Sequence, residues 1–123
     1  MRVLVVEKEA ALARLYREEL EDAGFRVCVC GGLGEAINFM NRREIDVLVT
    51  DENSCFFGHP SWLPKVRSVH SGPVVMLAAG DEVFCKEAGL STLPKTSDLG
   101  PLIRSLRNHS LWPQWGGRTK GTA

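Results

Sequence analysis

Short, continuous apolar runs alternate along this chain with segments whose apolar residues recur at helical spacing. The clearest runs are Val3 to Val6, Val47 to Val49 within the predicted strand Ile45 to Thr50, and Val74 to Ala79. A run of this length and composition is typical of a strand that is buried on both faces of a parallel sheet. We expect two weaker strands at Phe25 to Cys30 and at Ser91 to Leu93.

Helical segments are predicted after each of these runs. The first begins at Ala10 and ends before Gly24, a residue suited to the position just past a helix C-terminus. The others are expected at Glu35 to Asn41, Ser61 to Val69 and Glu82 to Glu87, and from Ser97 or Asp98 to Leu106. Five β–α units predict the α/β class, with a doubly wound five-stranded parallel sheet and right-handed crossovers. We assign residues 1–109 to this domain and residues 110–123 to a tail or linker.

Composition excludes several classes of function. Fifteen basic residues balance fifteen acidic ones among 123 residues, so we expect no direct binding of nucleic acid and none to an anionic membrane. No apolar run approaches the length of a membrane span, and a secretory signal is absent, so we expect a cytoplasmic protein. The four cysteines lack a CxxC pair or zinc-type spacing, which predicts ordinary thiols.

Candidate functional residues follow the predicted strands, because ligands of open parallel sheets bind at the carboxyl ends of the strands. Glu7 and Lys8 follow the first strand, and Asp51 follows the third. Ala78 lies at the end of the fourth, and Lys95 comes after the fifth. These side chains are expected to meet at one edge of the sheet.

The sequence resembles the response-regulator receiver family, of the chemotaxis-regulator type. The resemblance covers about residues 1 to 109 and is carried by five segments in the family's order and spacing. They are VLVVEKE at 3–9, DVLVTD at 46–51, PVVMLAA at 73–79, EAG at 87–89 and Lys95. It implies a flavodoxin-like strand order, 2-1-3-4-5.

The resemblance also implies roles for individual residues. Asp51 matches the phosphoacceptor, Lys95 the lysine that stabilises phosphoryl oxygens, and Glu7 and Lys8 the acidic pair that holds Mg²⁺. Asn53 matches the residue whose backbone carbonyl binds the metal. If a metal binds, Glu7, Asp51 and the Asn53 carbonyl are its expected ligands.

Several positions depart from the family pattern, which indicates an atypical, degenerate member. Lys8 replaces a metal-binding carboxylate, Ala78 replaces the hydroxyl of the switch, and Thr92 replaces its aromatic residue. The chain is also about four residues short between Ala79 and Ala88, which predicts a shortened fourth helix.

Lys8 admits two interpretations. We expect its ammonium to lie between Glu7 and Asp51, since charges 4 Å apart attract by about 4 kcal/mol at an effective dielectric near 20, before desolvation. The alternative is that its flexible stem carries the charge into solvent.

The favoured function is therefore a receiver domain of two-component phosphorelay signalling, not an enzyme, that acts through protein contacts with weak or no dependence on phosphate. Its partners are a histidine kinase or a downstream signalling protein, with the oligomeric state left open. We expect no resident cofactor, and Mg²⁺ is the one candidate that Lys8 argues against. The alternatives are a working aspartate phosphoacceptor that uses Mg²⁺ and a histidine-kinase donor, and a small flavodoxin-like enzyme or nucleotide binder. The last is disfavoured because acids, and not a glycine-rich loop, follow the first strand.

Overall fold

A computed structural model of the chain describes residues 1–51, 62–78 and 90–107. Within them, five strands alternate with four helices, as the apolar runs predict. The strands are β1 (Arg2–Val6), β2 (Arg26–Cys30), β3 (Val47–Asp51), β4 (Val74–Ala78) and β5 (Leu90–Pro94). The helices are α1 (Ala10–Asp22), α2 (Leu33–Arg42), α3 (Trp62–Arg67) and α4 (Gly100–Arg107).

All strand pairs are parallel, and the sheet order is β2-β1-β3-β4-β5. The predicted fold class and the strand order implied by the resemblance are therefore confirmed. The predicted fourth helix, Glu82 to Glu87, lies outside the described residues, as do Asn53 and the tail from residue 110.

The sheet is covered on both faces, which explains why β1, β3 and β4 are largely apolar. On one face, Val3 and Val5 pack with Tyr16 and Leu20 of α1 and with Leu102 of α4. On the other face, the strand residues Leu4, Val6 and Leu48 pack against the two other helices. Helix α2 contributes Met40 to this core, and α3 contributes Trp62. Because successive side chains of a strand point to opposite faces, one short run supplies both cores.

The end of α1 shows how local sequence fixes an element boundary. Gly24 has φ of +101°, a left-handed conformation that glycine adopts without a steric penalty. The N–H of Gly24 donates to the Glu21 carbonyl, and the N–H of Phe25 donates to the Leu20 carbonyl. This is the Schellman arrangement, and it turns the chain directly into β2.

Several element boundaries differ from the sequence predictions by one to three residues. Helix α2 begins at Leu33 and ends at Arg42, so it extends beyond the predicted helix at both ends. Strand β3 begins at Val47 because Ile45, although buried, precedes the ladder with β1. No helix in the described ranges is long and apolar enough to cross a bilayer.

Candidate functional site

The carboxyl ends of three strands bring Glu7, Asp51 and Lys95 together. Glu7 extends β1 by one residue, since its N–H donates to the Cys30 carbonyl at 2.9 Å. Asp51 is the last residue of β3 and stands beside Leu77 of β4. The N–H of Lys95 donates to the Ala78 carbonyl at 2.8 Å, which fixes the start of the lysine side chain beside β4. The predicted convergence of these three residues is observed.

A lysine ammonium lies between the two carboxylates. Lys95 Nζ donates to Asp51 Oδ2 at 2.6 Å and lies 3.1 Å from Glu7 Oε1. Strand β5 is separated from β3 by β4, about 10 Å away at ordinary strand spacing, so only a long side chain can make this contact. The long stem of Lys95 therefore supplies the cation of the pocket.

The pocket is largely buried, with the carboxylates more buried than the ammonium. The Glu7 and Asp51 side chains are each 2% exposed, whereas that of Lys95 is 19% exposed. At an effective dielectric near 20, each contact attracts by about 5–6 kcal/mol before the cost of desolvation. Two carboxylates and one ammonium leave a formal charge of one negative unit.

Glu7 is held through only one of its carboxylate oxygens. Its Oε2 accepts a hydrogen bond from the Glu9 N–H at 3.2 Å, which ties the carboxylate to the start of α1. Its Oε1 is buried and, despite its closeness to Lys95 Nζ, is not aligned for a hydrogen bond. The contact between Glu7 and Lys95 is thus an ion pair without a hydrogen bond, and it is longer than the hydrogen-bonded contact between Asp51 and Lys95.

Lys8 does not occupy the position that we expected for it. The structure leaves Lys8 exposed at the surface, while Lys95 lies between Glu7 and Asp51. The expectation that the Lys8 ammonium fills the pocket is therefore wrong, and the solvent alternative holds. The physical reason is that Lys95 already neutralises one carboxylate charge there, which leaves Lys8 little to gain from giving up hydration.

The two altered switch positions are also located. Ala78 is buried at the end of β4, and its side chain carries no group that can donate or accept a hydrogen bond. Thr92 is exposed on the edge strand β5. Their functional roles, like that of Asp51 as phosphoacceptor, stay predictions.

Tyr16 belongs to the surroundings of the site, which the sequence did not indicate. Its helical spacing assigned it to the core, and it is 1% exposed there. Burial raises the pKa of its phenol; the charge of Lys95 lowers it, and those of Glu7 and Asp51 raise it. The phenol therefore lies within electrostatic reach of all three charged groups.

Mg²⁺ fits the described donors poorly. The ion favours several carboxylate or water oxygens in octahedral geometry. Among residues 1–51, 62–78 and 90–107, no three or more His, Cys, Asp or Glu side chains are placed to hold a metal ion. The two carboxylates of the pocket both contact the Lys95 ammonium. A cation entering between them would have to displace that charge. Weak Mg²⁺ binding stays a prediction.

The cysteines described by the structure are reduced and lie on the edge strand β2. Cys28 and Cys30 are free thiols, both half-buried. Burial raises the pKa of Cys30 to about 11, although a backbone hydrogen bond with Gly32 opposes the shift. A thiol of this kind is largely unreactive at neutral pH.

Similarity to solved structures places this geometry in a known fold. The receiver domain of the hybrid histidine kinase CckA is 25% identical, with a TM-score of 0.72 over 88% of this chain and 97% of that one. The response regulator TrrA of Thermotoga maritima, solved with Mg²⁺ and BeF, is 17% identical, with a TM-score of 0.74 over 87% and 96%. The chain therefore has the fold of a response-regulator receiver domain.

The sequence comparisons match only part of the length of known proteins. No family model matches the receiver domain. The transcriptional activator protein IrlR of Burkholderia pseudomallei, strain 1026b, is 30% identical over 95 residues, which are 73% of this chain and 39% of IrlR. IrlR of strain K96243 gives the same values. The chain thus spans about two fifths of the length of the curated relatives it matches.

The Lys95 ammonium in the pocket makes the stability of the receiver domain depend on pH in the alkaline range. Burial lowers the pKa of Lys95, but the hydrogen bond to Asp51 and the close contact with Glu7, together with the negative charges of both, outweigh it and raise the pKa above its ordinary 10.5. The stabilisation that this shift represents is complete below the unfolded-state value and is lost as pH rises through the folded-state value.

We therefore expect the stability difference between the wild type and Lys95→Met to be constant from pH 8 to 10 and to shrink above about pH 10.5. Urea unfolding of both proteins at each pH measures it. Subtraction removes most of the alkaline effect of Tyr16 and Cys30, which the two proteins share. A difference that shrinks already below pH 9 would contradict the raised pKa.

Proposed function

We propose that this receiver domain acts in two-component signalling through protein contacts, with weak or no dependence on phosphate. The observation that carries the proposal is the position of Lys95, whose ammonium joins Asp51 to Glu7 within the pocket. A phosphoryl group arriving at Asp51 would meet a carboxylate that is buried and already paired.

The switch positions support the same proposal. Ala78 has no hydroxyl to follow a phosphoryl oxygen, and Thr92 has no ring to move behind it. A ligand shifts a conformational equilibrium only by its different affinity for the two states, so losing both contacts weakens any coupling of phosphate to the output surface.

The proposed setting is the cytoplasm, and the proposed partners are a histidine kinase or a downstream signalling protein. The domain is proposed to recognise its partners and to catalyse no reaction of its own. IrlR, a transcriptional activator by name, is a precedent for an output that reaches gene expression through a further domain or protein.

The competing function is a working phosphoacceptor that uses Mg²⁺ and a histidine-kinase donor. The specific observation in its favour is that Asp51 and Lys95 are in contact at the carboxyl edge of the sheet, where phosphoryl transfer would need them. Lys95 would then leave Asp51 to neutralise the phosphoryl oxygens.

Incubation with acetyl phosphate and Mg²⁺, followed by intact mass spectrometry, distinguishes the two functions. We expect no phosphoryl adduct on the wild type, as on the Asp51→Asn control. Amide chemical shifts with a beryllofluoride mimic add a second measurement, and we expect them to stay unchanged in β4, β5 and α4. An adduct that Asp51→Asn abolishes, together with shifts across α4, would establish the phosphoacceptor.

A further inference from the structure

Two arginines lie side by side at the amino ends of neighbouring strands. Arg2 of β1 and Arg26 of β2 are register partners, about 5 Å apart at ordinary strand spacing. In a parallel pair, side chains in register leave the same face of the sheet. Leu4, two residues from Arg2, packs against the α2 side. Both guanidinium groups therefore belong to the α2 face.

A third arginine completes a groove there. Arg43 directly follows α2, and its guanidinium carbon lies 6.0 Å from the centre of the Phe39 ring, within the range of a cation–π contact. The three arginines line a cavity of about 230 Å³, which we call the arginine groove; Val27, Cys28, Phe39 and Ile45 complete its lining. It has a charged rim and a largely apolar floor.

The positive charge of the arginine groove is not neutralised within the described part of the chain. Arg2, Arg26 and Arg43 are all exposed, and none of the three guanidinium groups forms an ion pair there. The nearby Asp46 carboxylate accepts the backbone N–H of Arg2 at 2.8 Å. Like charges on neighbouring strands repel each other. A chain with zero formal charge thus concentrates positive charge at one surface.

The chemistry of the groove selects its occupant. The volume is below the range of about 300–1,000 Å³ typical of small-molecule pockets, so it suits a few side chains of a partner. Guanidinium groups bind carboxylates in a bidentate manner, and arginine and aromatic residues are enriched at protein interfaces. The apolar floor offers nothing to a phosphodiester backbone. Charge complementarity and the floor together favour an acidic protein segment.

We propose that the arginine groove is a docking surface for a protein segment that combines carboxylates with an apolar side chain. The groove lies at the amino ends of the strands, whereas Asp51 lies at the carboxyl ends, about 15 Å away along a five-residue strand. A segment bound in the arginine groove would therefore not contact Asp51, and the proposal can fail without affecting the proposed function.

The test uses the full chain and a labelled twelve-residue peptide in which Glu and Asp alternate with Leu and Phe. Fluorescence anisotropy is measured with the wild type, with the triple variant Arg2→Gln, Arg26→Gln, Arg43→Gln, and with Arg14→Gln, an exposed arginine of α1, as matched control. We expect the triple variant to bind at least about 10-fold more weakly, since interface charges contribute through complementarity. Arg14→Gln should stay within about 2-fold of the wild type, because it leaves the groove intact.

Further binding measurements determine which kind of molecule the arginine groove binds. A peptide with Gln and Asn in place of its acids should lose binding, and so should one with Ala in place of Leu and Phe. Equal binding by the triple variant, or no saturation of the wild type by the acidic peptide at millimolar concentration, would overturn the proposal. Tighter binding of a twelve-nucleotide single-stranded DNA or of phosphatidylserine vesicles would overturn it too, as would self-association that the triple variant abolishes.

Discussion

Replacement of Lys95 by methionine is expected to cost about 3 kcal/mol of unfolding free energy at neutral pH, because removing one partner of a buried ionic cluster leaves uncompensated charge. Glu7 and Asp51 would then face each other without the ammonium that contacts both. For a domain of this size the thermal midpoint should fall by roughly 10 °C. Urea unfolding and thermal melts at pH 7.5 measure the effect.

Two other variants make the Lys95 experiment specific. Lys8→Met removes an equal charge one residue from Glu7, but from an exposed side chain, and should change stability by less than about 0.5 kcal/mol. Lys95→Arg keeps a cation within reach of the carboxylates and should lose less unfolding free energy than Lys95→Met. Equal losses for Lys8→Met and Lys95→Met would show that neither ammonium has a special place in the pocket.

A pH series adds an independent check on the cause. Acidification protonates carboxylates and so relieves the repulsion that Lys95→Met creates, and the penalty should therefore be smaller at pH 5 than at pH 8. A penalty that is independent of pH over this range would instead indicate lost packing of the lysine stem.

Regular patterns in the sequence predicted most of the fold. Val3 to Val6 and Val74 to Ala78 are buried on both faces, and only a sheet covered on both sides accepts such runs. Gly24 marked the end of α1 because few other residues adopt its left-handed conformation at little cost. The order of the strands in the sheet could not be predicted in this way, because the residues of one strand do not determine which strand lies beside it. The predicted order came only from the resemblance.

The residues of the site could be predicted from the sequence, but the ion pairs between them could not. Asp51 and Lys95 follow strands, and parallel strands end at one edge, so their meeting follows from topology. Which of two lysines reaches the carboxylates depends on a balance of hydration and ion pairing that sequence spacing does not encode. Tyr16 was missed because an aromatic residue at helical spacing has the same pattern whether or not charged groups lie beside its hydroxyl.

The structure sharpens what Mg²⁺ should do to this receiver domain. We expect the wild type to show no stabilisation at millimolar Mg²⁺, because the Lys95 ammonium already lies between the carboxylates that the ion would need. Lys8→Asp places a third carboxylate next to Glu7 in the chain. Three carboxylates suit a hard cation better than two, and their greater repulsion gives Mg²⁺ more to neutralise.

Stability of the Lys8→Asp variant should therefore depend on Mg²⁺. At a concentration thirty times the dissociation constant, binding to the folded state adds about 2 kcal/mol and raises the thermal midpoint by ~7 °C. Thermal melts with and without 10 mM Mg²⁺ make the comparison, with Lys8→Met as control, since it removes the same charge without adding a ligand. Ca²⁺ and Na⁺ at matched ionic strength separate specific binding from screening. If the wild type and Lys8→Met gain as much as Lys8→Asp, Glu7 and Asp51 suffice to hold the ion, Lys95 yields to it, and the working phosphoacceptor becomes the better account of this pocket.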